Sequence, residues 1–335
     1  MKRLYYFLAI PVLLVILYFA GPEYHAPDYN KSLPEISFSG DALENFVNTH
    51  ESGYSNMKED NQARIVWAND SMKEKTPYAL VYLHGFSASQ GEGVPVHTDF
   101  ARRYGCNLYL ARLYDHGLNS PDALLHMSPD SLVYSAKEAI AIGKQLGEKV
   151  ILMSTSTGGT LSLYLAGGDP DIAGLILYSP NIAVNNPFIF LLTGPWGLQI
   201  GRLFAGGKNI TFPIKSMEDS LYWDNSYRVE ALIYMQSLLD KTMNQKTFRS
   251  VTQPVFMGYY YKDEKHQDPT CRVDAMLKMF DELGTPENEK SREAFPGAGE
   301  HVIACEYKSK DWKGVEEATF NFAERVLKLK PVGRN

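Results

Sequence analysis

The chain has 335 residues, of which 44% are hydrophobic and 21% charged, and its formal net charge is -6. This composition is typical of a globular protein, and it excludes the disordered and fibrous classes. The acidic balance, with no long basic run after the first residues, argues against nucleic-acid binding. The odd number of cysteines, Cys106, Cys271 and Cys305, leaves at least one thiol unpaired, and we expect buried thiols.

The first twenty residues differ from the rest of the chain. A basic start, Met1-Lys2-Arg3, precedes an uncharged apolar run at 4–20, which is typical of a targeting segment. The segment is either a cleaved signal peptide or a membrane anchor, and its length favours the anchor, since a span needs about 17–25 residues. Both alternatives predict an extracytoplasmic protein, either membrane-anchored or secreted or periplasmic.

Strands and helices alternate through much of the chain. A tether and N-terminal segment is predicted at 21–60, with a helix at 41–52. Apolar runs then predict strands, and helical spacing predicts helices between them. The predicted strands are 63–68, 78–83, 107–113, 149–153, 173–178, 254–261 and 292–295, and the helices are 94–104, 131–146, 157–165, 273–283 and 315–329. This order predicts an α/β fold with a mostly parallel central sheet and helices on both faces.

The alternation is interrupted between 181 and 252. This stretch is rich in apolar and aromatic residues, whereas a linker is poor in them. We therefore expect an inserted helical cap, or lid, at 181–252, and a core formed by 61–180 together with 253–335.

A serine directly follows the strand predicted at 149–153. It is Ser156, and two glycines follow it in the run Ser154-Thr155-Ser156-Thr157-Gly158-Gly159. A strand, a tight turn and a helix in this order are typical of a nucleophile elbow, which makes Ser156 the candidate nucleophile. Ser154 stands where the usual pattern has its first glycine. Because serine is also small, we expect local crowding here and no loss of activity.

A serine nucleophile needs a base, and the base needs an acid that orients it. His301 lies in a glycine-rich loop before the last predicted helix, where a side chain reaches the carboxyl edge of a parallel sheet. Two aspartates follow the strand at 254–261. Asp268, which leads into a helix, is favoured over Asp263, which lies nearer the strand in a charged run. Either choice gives the chain order serine, aspartate, histidine.

Backbone amides must also stabilise the oxyanion. The candidates are Thr157, directly after the nucleophile, and Phe86, which follows Gly85 at the end of a strand. The glycine permits a bend that turns the Phe86 amide towards the serine. Ser87 either adds a hydroxyl group to this site or caps the following turn.

With these residues in place, the chain resembles an α/β-hydrolase over roughly residues 64–329. It is similar to the branch that contains monoacylglycerol lipases, lysophospholipases and serine aminopeptidases. The resemblance depends on the elbow, the cap, the aspartate, His301 and two further motifs, His84-Gly85-Phe86 and Arg112-Leu113-Tyr114-Asp115-His116-Gly117.

The residues and the resemblance together predict a serine hydrolase that cleaves carboxylic esters through an acyl-enzyme. No cofactor or metal ion is expected. The apolar cap predicts a small-molecule ester with an apolar acyl group, for which lipid-derived esters are candidates. One alternative is an amidase or aminopeptidase that uses Glu218, Asp219 or Asp224 to bind a substrate amine. Another is a non-catalytic binding protein, since fold alone does not determine function.

Overall fold

A computed structural model describes residues 2–333 of the protein, with side chains from residue 11 onward. Met1 and the basic side chains that open the predicted targeting segment lie outside this description. Helix α1 spans Lys2–Phe19 and contains Pro11. Within the described residues, we find no helix with the length and apolar character that a membrane crossing requires.

Each helix and strand predicted outside 181–252 has a counterpart within a few residues of its predicted bounds. The remaining helices are α2 (Gly40–Ser52), α3 (Val96–Tyr104), α4 (Pro129–Leu146), α5 (Thr157–Ala166), α6 (Gly197–Ala205), α7 (Met217–Tyr222), α8 (Val229–Thr242), α9 (Gln245–Ser250), α10 (Val273–Glu282) and α11 (Trp312–Arg325). The strands are β1 (Arg64–Val66), β2 (Thr76–Leu83), β3 (Asn107–Leu110), β4 (Gly147–Thr155), β5 (Ile172–Tyr178), β6 (Asn209–Thr211), β7 (Ser226–Arg228), β8 (Val255–Tyr259), β9 (Tyr261–Asp263), β10 (His266–Gln267) and β11 (Lys290–Ala294).

Within residues 2–333, seven strands form the central sheet in the order β1-β3-β2-β4-β5-β8-β11. Strand β1 pairs antiparallel with β3, and every other neighbouring pair in this sheet is parallel. The prediction of an α/β fold with a mostly parallel sheet is therefore confirmed. All the parallel strands end at the same edge of the sheet, and this edge collects the loops that follow β2, β4, β8 and β11.

The central strands are buried on both faces. Along β4, Val150 and Leu152 pack into one apolar core cluster, and Ile151 and Met153 pack into the other. Such double burial explains why the strand is a continuous apolar run without alternating polar residues. The thiols of Cys106, Cys271 and Cys305 are free and buried, as expected.

The range predicted as a cap contains more than helices. Strands β6 and β7 form a small antiparallel sheet in which Ile210 is paired with Tyr227. Each of these strands has three residues, which is too short for a period-of-two pattern to be recognised in the sequence. Helix α8 packs against α4 and α5, and α9 packs against α5 and α10. Two helices of this range therefore lie against the core.

A buried ion pair attaches helix α2 to the loop that follows β3. Arg112 donates from Nε to Glu51 Oε2 at 2.7 Å and from Nη2 to Oε1 at 2.9 Å. The Ala63 amide also donates to Glu51 Oε2, at 2.8 Å. Both charged side chains are almost completely buried. Each charge therefore needs the other for its stability inside the protein, because an unpaired buried charge is strongly unfavourable.

Replacing Arg112 with leucine should destabilise the fold strongly. The Glu51 carboxylate would stay buried without its partner, and we expect the free energy of unfolding to fall by about 3–5 kcal/mol in urea denaturation. Arg102→Leu is the control, because Arg102 is exposed in its pair with Asp99. That change should cost no more than about 1 kcal/mol. Equal losses in the two variants would contradict the importance of the buried pair.

Candidate active site

Ser156 lies in the sharp turn between β4 and α5. Its backbone has φ 53° and ψ -117°, a conformation that a residue with a side chain rarely adopts. The Ser156 amide donates to the Tyr178 carbonyl at 3.0 Å, and its carbonyl accepts from Gly159 at 2.9 Å and from Asn181 at 2.9 Å. These bonds hold the strained turn in place, as is common where a functional side chain is presented.

The two glycines after Ser156 allow the turn to approach its neighbours. A Cβ atom on Gly158 would lie 2.0 Å from the Leu83 carbonyl oxygen, and one on Gly159 would lie 2.7 Å from Pro180 Cβ. Neither position has room for a side chain. Ser154 is fully buried, and its hydroxyl oxygen accepts from the Ser162 hydroxyl at 3.1 Å. The serine in place of the first glycine thus packs against α5 without displacing it.

His301 and Asp268 meet at the carboxyl edge of the sheet. Their atoms Nδ1 and Oδ2 are 2.6 Å apart, and the Asp268 side chain is buried. The amides of Thr270 and Cys271 donate to Asp268 Oδ1 at 2.8 and 2.9 Å, which fixes the carboxylate. The Nε2 atom of His301 is buried and has no hydrogen-bond partner within the described part of the chain.

The charge state of His301 depends on opposing effects. Burial lowers its pKa, whereas the negative charge of Asp268 and the hydrogen bond to it raise the pKa. Together, the raising effects are larger than the effect of burial. The net result is a pKa above the usual histidine value. The hydrogen bond to Nδ1 leaves Nε2 as the ring atom that can exchange a proton with a hydroxyl group.

Asp263, the other candidate acid, contacts a different histidine. It lies in the hairpin of β9 and β10, where it is exposed and its Oδ1 is 2.8 Å from His266 Nδ1. After this hairpin the chain returns to the sheet, and the Asp268 amide donates to the Tyr260 carbonyl at 3.1 Å. The hairpin therefore occupies most of the chain between β8 and Asp268.

The loop after β2 orients the amide of Phe86. His84 accepts from the Leu113 amide at Nε2, 3.0 Å away, so its Nδ1 carries the proton and donates to the Gly85 carbonyl at 2.8 Å. Since an amide N–H points opposite to the carbonyl of the same peptide unit, the Phe86 N–H is turned away from His84. Thr157 is the first residue of α5, and its N–H has no partner inside the helix.

The Phe86 ring connects the core with the cap. It lies 6.2 Å from the His116 ring, in the predicted His-Gly motif, and 5.1 Å from the Tyr227 ring, measured between centroids. A cavity of about 320 Å³ lies within the range predicted as a cap. Its lining is mostly apolar and includes Ile210, the strand partner of Tyr227, but neither Ser156 nor His301.

Two of the three cap acids that were candidates for amine binding are already paired. Lys308 binds Asp219, and Lys58 Nζ lies 2.8 Å from Asp224 Oδ1. Glu218 is partly exposed at the start of α7. The Ser87 carbonyl accepts from the Asp224 amide at 2.7 Å.

One buried carboxyl group at this edge was not predicted from the sequence. Glu92 is 2% exposed, and its Oε2 accepts from the Gly85 amide at 2.5 Å. In the sequence, Glu92 stands out only as the single charged residue in the run 87–93. A lone acid in a turn is usually exposed, so this signal is weak.

Sequence comparison finds one related enzyme over part of the chain. No protein-family model matches the chain. The thermostable monoacylglycerol lipase of Bacillus sp. (strain H-257) is 32% identical to it over 116 residues, which is 35% of this chain and 45% of that lipase. The match thus spans less than half the length of this relative.

The similarity to solved structures extends much further. The structure of the metagenome-derived lipolytic enzymes LipS and LipT superposes with a TM-score of 0.62 at 15% identity, over 79% of this chain and 98% of the other. The protein has the α/β-hydrolase fold. A soluble variant of Saccharomyces cerevisiae monoglyceride lipase, bound to a substrate analog, matches this chain with a TM-score of 0.56 at 12% identity, over 90% and 99% of the two chains. The predicted resemblance to the monoacylglycerol lipase branch is confirmed.

Proposed function

We propose that the protein is a serine hydrolase that cleaves carboxylic esters. The observation that carries this proposal is the contact between His301 and Asp268, which leaves Nε2 free at the sheet edge where the Ser156 turn ends. The similarity to a monoacylglycerol lipase and to lipolytic enzymes supports ester bonds as the target.

The reaction proceeds in two halves. His301 Nε2 takes the Ser156 proton while the serine oxygen attacks the acyl carbonyl, and Asp268 stabilises the charged imidazole. The amides of Phe86 and Thr157 bind the oxyanion. The intermediate collapses, His301 protonates the departing alcohol, and an acyl-enzyme remains. His301 then deprotonates a water molecule that attacks the acyl-enzyme, and as the bond to the Ser156 oxygen breaks, His301 returns the proton to that oxygen and the acid is released.

An apolar acyl group is the substrate part that we assign to the cap. Supporting this assignment is the apolar cap cavity, which neighbours the Phe86 ring through Tyr227. Binding sites for such groups are largely apolar and hold few polar groups. The aminopeptidase alternative has less support, because Asp219 and Asp224 are already paired with lysines.

A labelling and hydrolysis experiment tests this proposal. A fluorophosphonate probe should modify the full-length protein at Ser156, identified by peptide mass spectrometry. The protein should also hydrolyse p-nitrophenyl butyrate and octanoate faster than the acetate, and should leave aminoacyl-naphthylamides intact. Faster cleavage of the amides would favour the aminopeptidase alternative. No labelling and no hydrolysis would favour the non-catalytic one.

The extracytoplasmic location is also a proposal. It is supported by the basic start at residues 1–3 and the uncharged run at 4–20, which is the pattern of a targeting segment. The intact mass of the protein recovered from cells distinguishes a cleaved signal peptide from a retained anchor. An unprocessed protein found only in the cytoplasm would contradict both alternatives.

A further inference from the structure

Glu92 lies directly beside the loop that carries the Phe86 amide. It belongs to the 3-10 turn Gln90–Gly93, and its carboxyl group faces Gly85. A Cβ atom on Gly85 would lie 2.9 Å from Glu92 Oε1 and 3.0 Å from Ser156 Cβ. Gly85 is therefore enclosed between the Glu92 carboxyl group and the candidate nucleophile, with no room for a larger residue.

The bonds at Gly85 determine the direction of the next amide. Glu92 accepts from the Gly85 N–H, and the Gly85 carbonyl accepts from His84 Nδ1 and from the Ala88 amide at 3.3 Å. Glycine alone has wide backbone freedom, so this position needs external contacts to hold one conformation. With both peptide groups of Gly85 fixed, the Phe86 N–H has one direction.

We propose that Glu92 is a positioning residue of the active site, which holds the Gly85 amide and so aims the Phe86 amide at the oxyanion. This inference rests on the proposed function, because an oxyanion forms only if Ser156 attacks an acyl carbonyl. A donor that is fixed in advance stabilises the transition state without reorganisation during the reaction. Glu92 therefore acts on kcat through Phe86, without touching the substrate.

Several groups act on the Glu92 carboxyl group from the surrounding elements. Burial raises its pKa to about 7, although the Gly85 amide, His301, Lys308 and the Trp223 side chain lower it. Its charge also affects Tyr82, Cys271 and Cys305. The hydrogen bond to Gly85 requires only an acceptor oxygen, which both the ionised and the protonated carboxyl group provide.

Two substitutions separate the hydrogen bond from the charge. Glu92→Gln retains an acceptor oxygen at the same distance and removes the charge. Glu92→Asp retains the charge, but its shorter side chain withdraws the oxygen from Gly85. For p-nitrophenyl butyrate, we expect kcat to fall about 100-fold in the aspartate variant, the loss typical of one misplaced oxyanion donor, with KM almost unchanged. The glutamine variant should stay within about 5-fold of wild type, because the donor keeps its position.

Gln90→Ala is the matched control from the same turn. The Gln90 side chain donates to the carbonyl and side chain of Asp60, at 3.0 and 2.9 Å, so its removal should leave kcat unchanged. Thermal unfolding of each variant shows whether the fold is retained. A wild-type kcat in a folded aspartate variant would overturn the inference. A 100-fold loss of kcat in the glutamine variant would also overturn it, because that variant retains the acceptor oxygen. If the aspartate variant does not fold, the kcat of the glutamine variant is the deciding measurement. Absence of wild-type hydrolysis and labelling would instead contradict the proposed function.

Discussion

Replacing Ser156 with alanine is expected to lower kcat for p-nitrophenyl butyrate by about a millionfold, the loss found when a hydrolase loses its serine nucleophile. The alanine variant has no oxygen that can form an acyl-enzyme, although the oxyanion amides and His301 remain. Its fold should be preserved, because the turn is held by backbone bonds of residue 156, which the substitution retains. Absorbance assays at equal concentrations of the two folded proteins would measure the effect.

Ser154→Ala is the matched control for this experiment. It removes a buried hydroxyl two residues before the nucleophile, and with it one hydrogen bond to Ser162. The loss should cost about 1 kcal/mol of stability and leave the turnover of the folded protein unchanged. Comparable losses of kcat in both variants would mean that the turn, and not the Ser156 hydroxyl, determines the activity.

Replacing Asp268 with asparagine should lower kcat by about ten-thousandfold. The size of the side chain is conserved, but an asparagine cannot stabilise the charged imidazole and can bind the wrong histidine tautomer. Asp263→Asn is the control, since Asp263 is exposed and contacts His266 instead of His301. A large loss in the Asp263 variant, with an active Asp268 variant, would reverse the assignment of the acid.

The pH dependence of the Asp268 variant provides a second readout. Only neutral His301 can take the serine proton, so kcat/KM should fall as the pH decreases through the pKa of His301. Burial alone lowers this pKa, and the Asp268 charge is the main group that raises it. The acidic limb of the residual activity should therefore move to lower pH in Asp268→Asn. A shift to higher pH would contradict the role given to this charge.

The sequence was sufficient for the parts of the site that depend on local order along the chain. Ser156 follows an apolar strand and precedes two glycines, and His301 lies in the loop between β11 and α11. The sheet was also predictable, because its strands are buried on both faces and are continuous apolar runs. Loop placement in the sequence favoured Asp268 over Asp263, but the contact of Asp268 with His301 and of Asp263 with His266 depends on a hairpin that the sequence analysis did not predict.

Contacts between distant segments were not predictable from the sequence. Glu92 and Glu51 resemble ordinary surface acids until the fold brings a Gly85 amide to one and the Arg112 guanidinium to the other. Burial of a charge has no local signature, because it depends on the partner and not on neighbouring residues. The short strands β6 and β7 were missed for a similar reason, since their pairing joins segments separated by α7.

The strand order has a consequence for the order of events when the chain refolds. The candidate nucleophile and oxyanion amides follow the neighbouring strands β2 and β4, whereas Asp268 and His301 follow β8 and β11 at the far side of the sheet. Parallel pairing of strands distant in the chain is slow, because long loops must close first. We therefore expect much of the core to form before β8 and β11 join the sheet. Under the proposed function, recovery of ester hydrolysis after dilution from denaturant should follow the joining of these two strands.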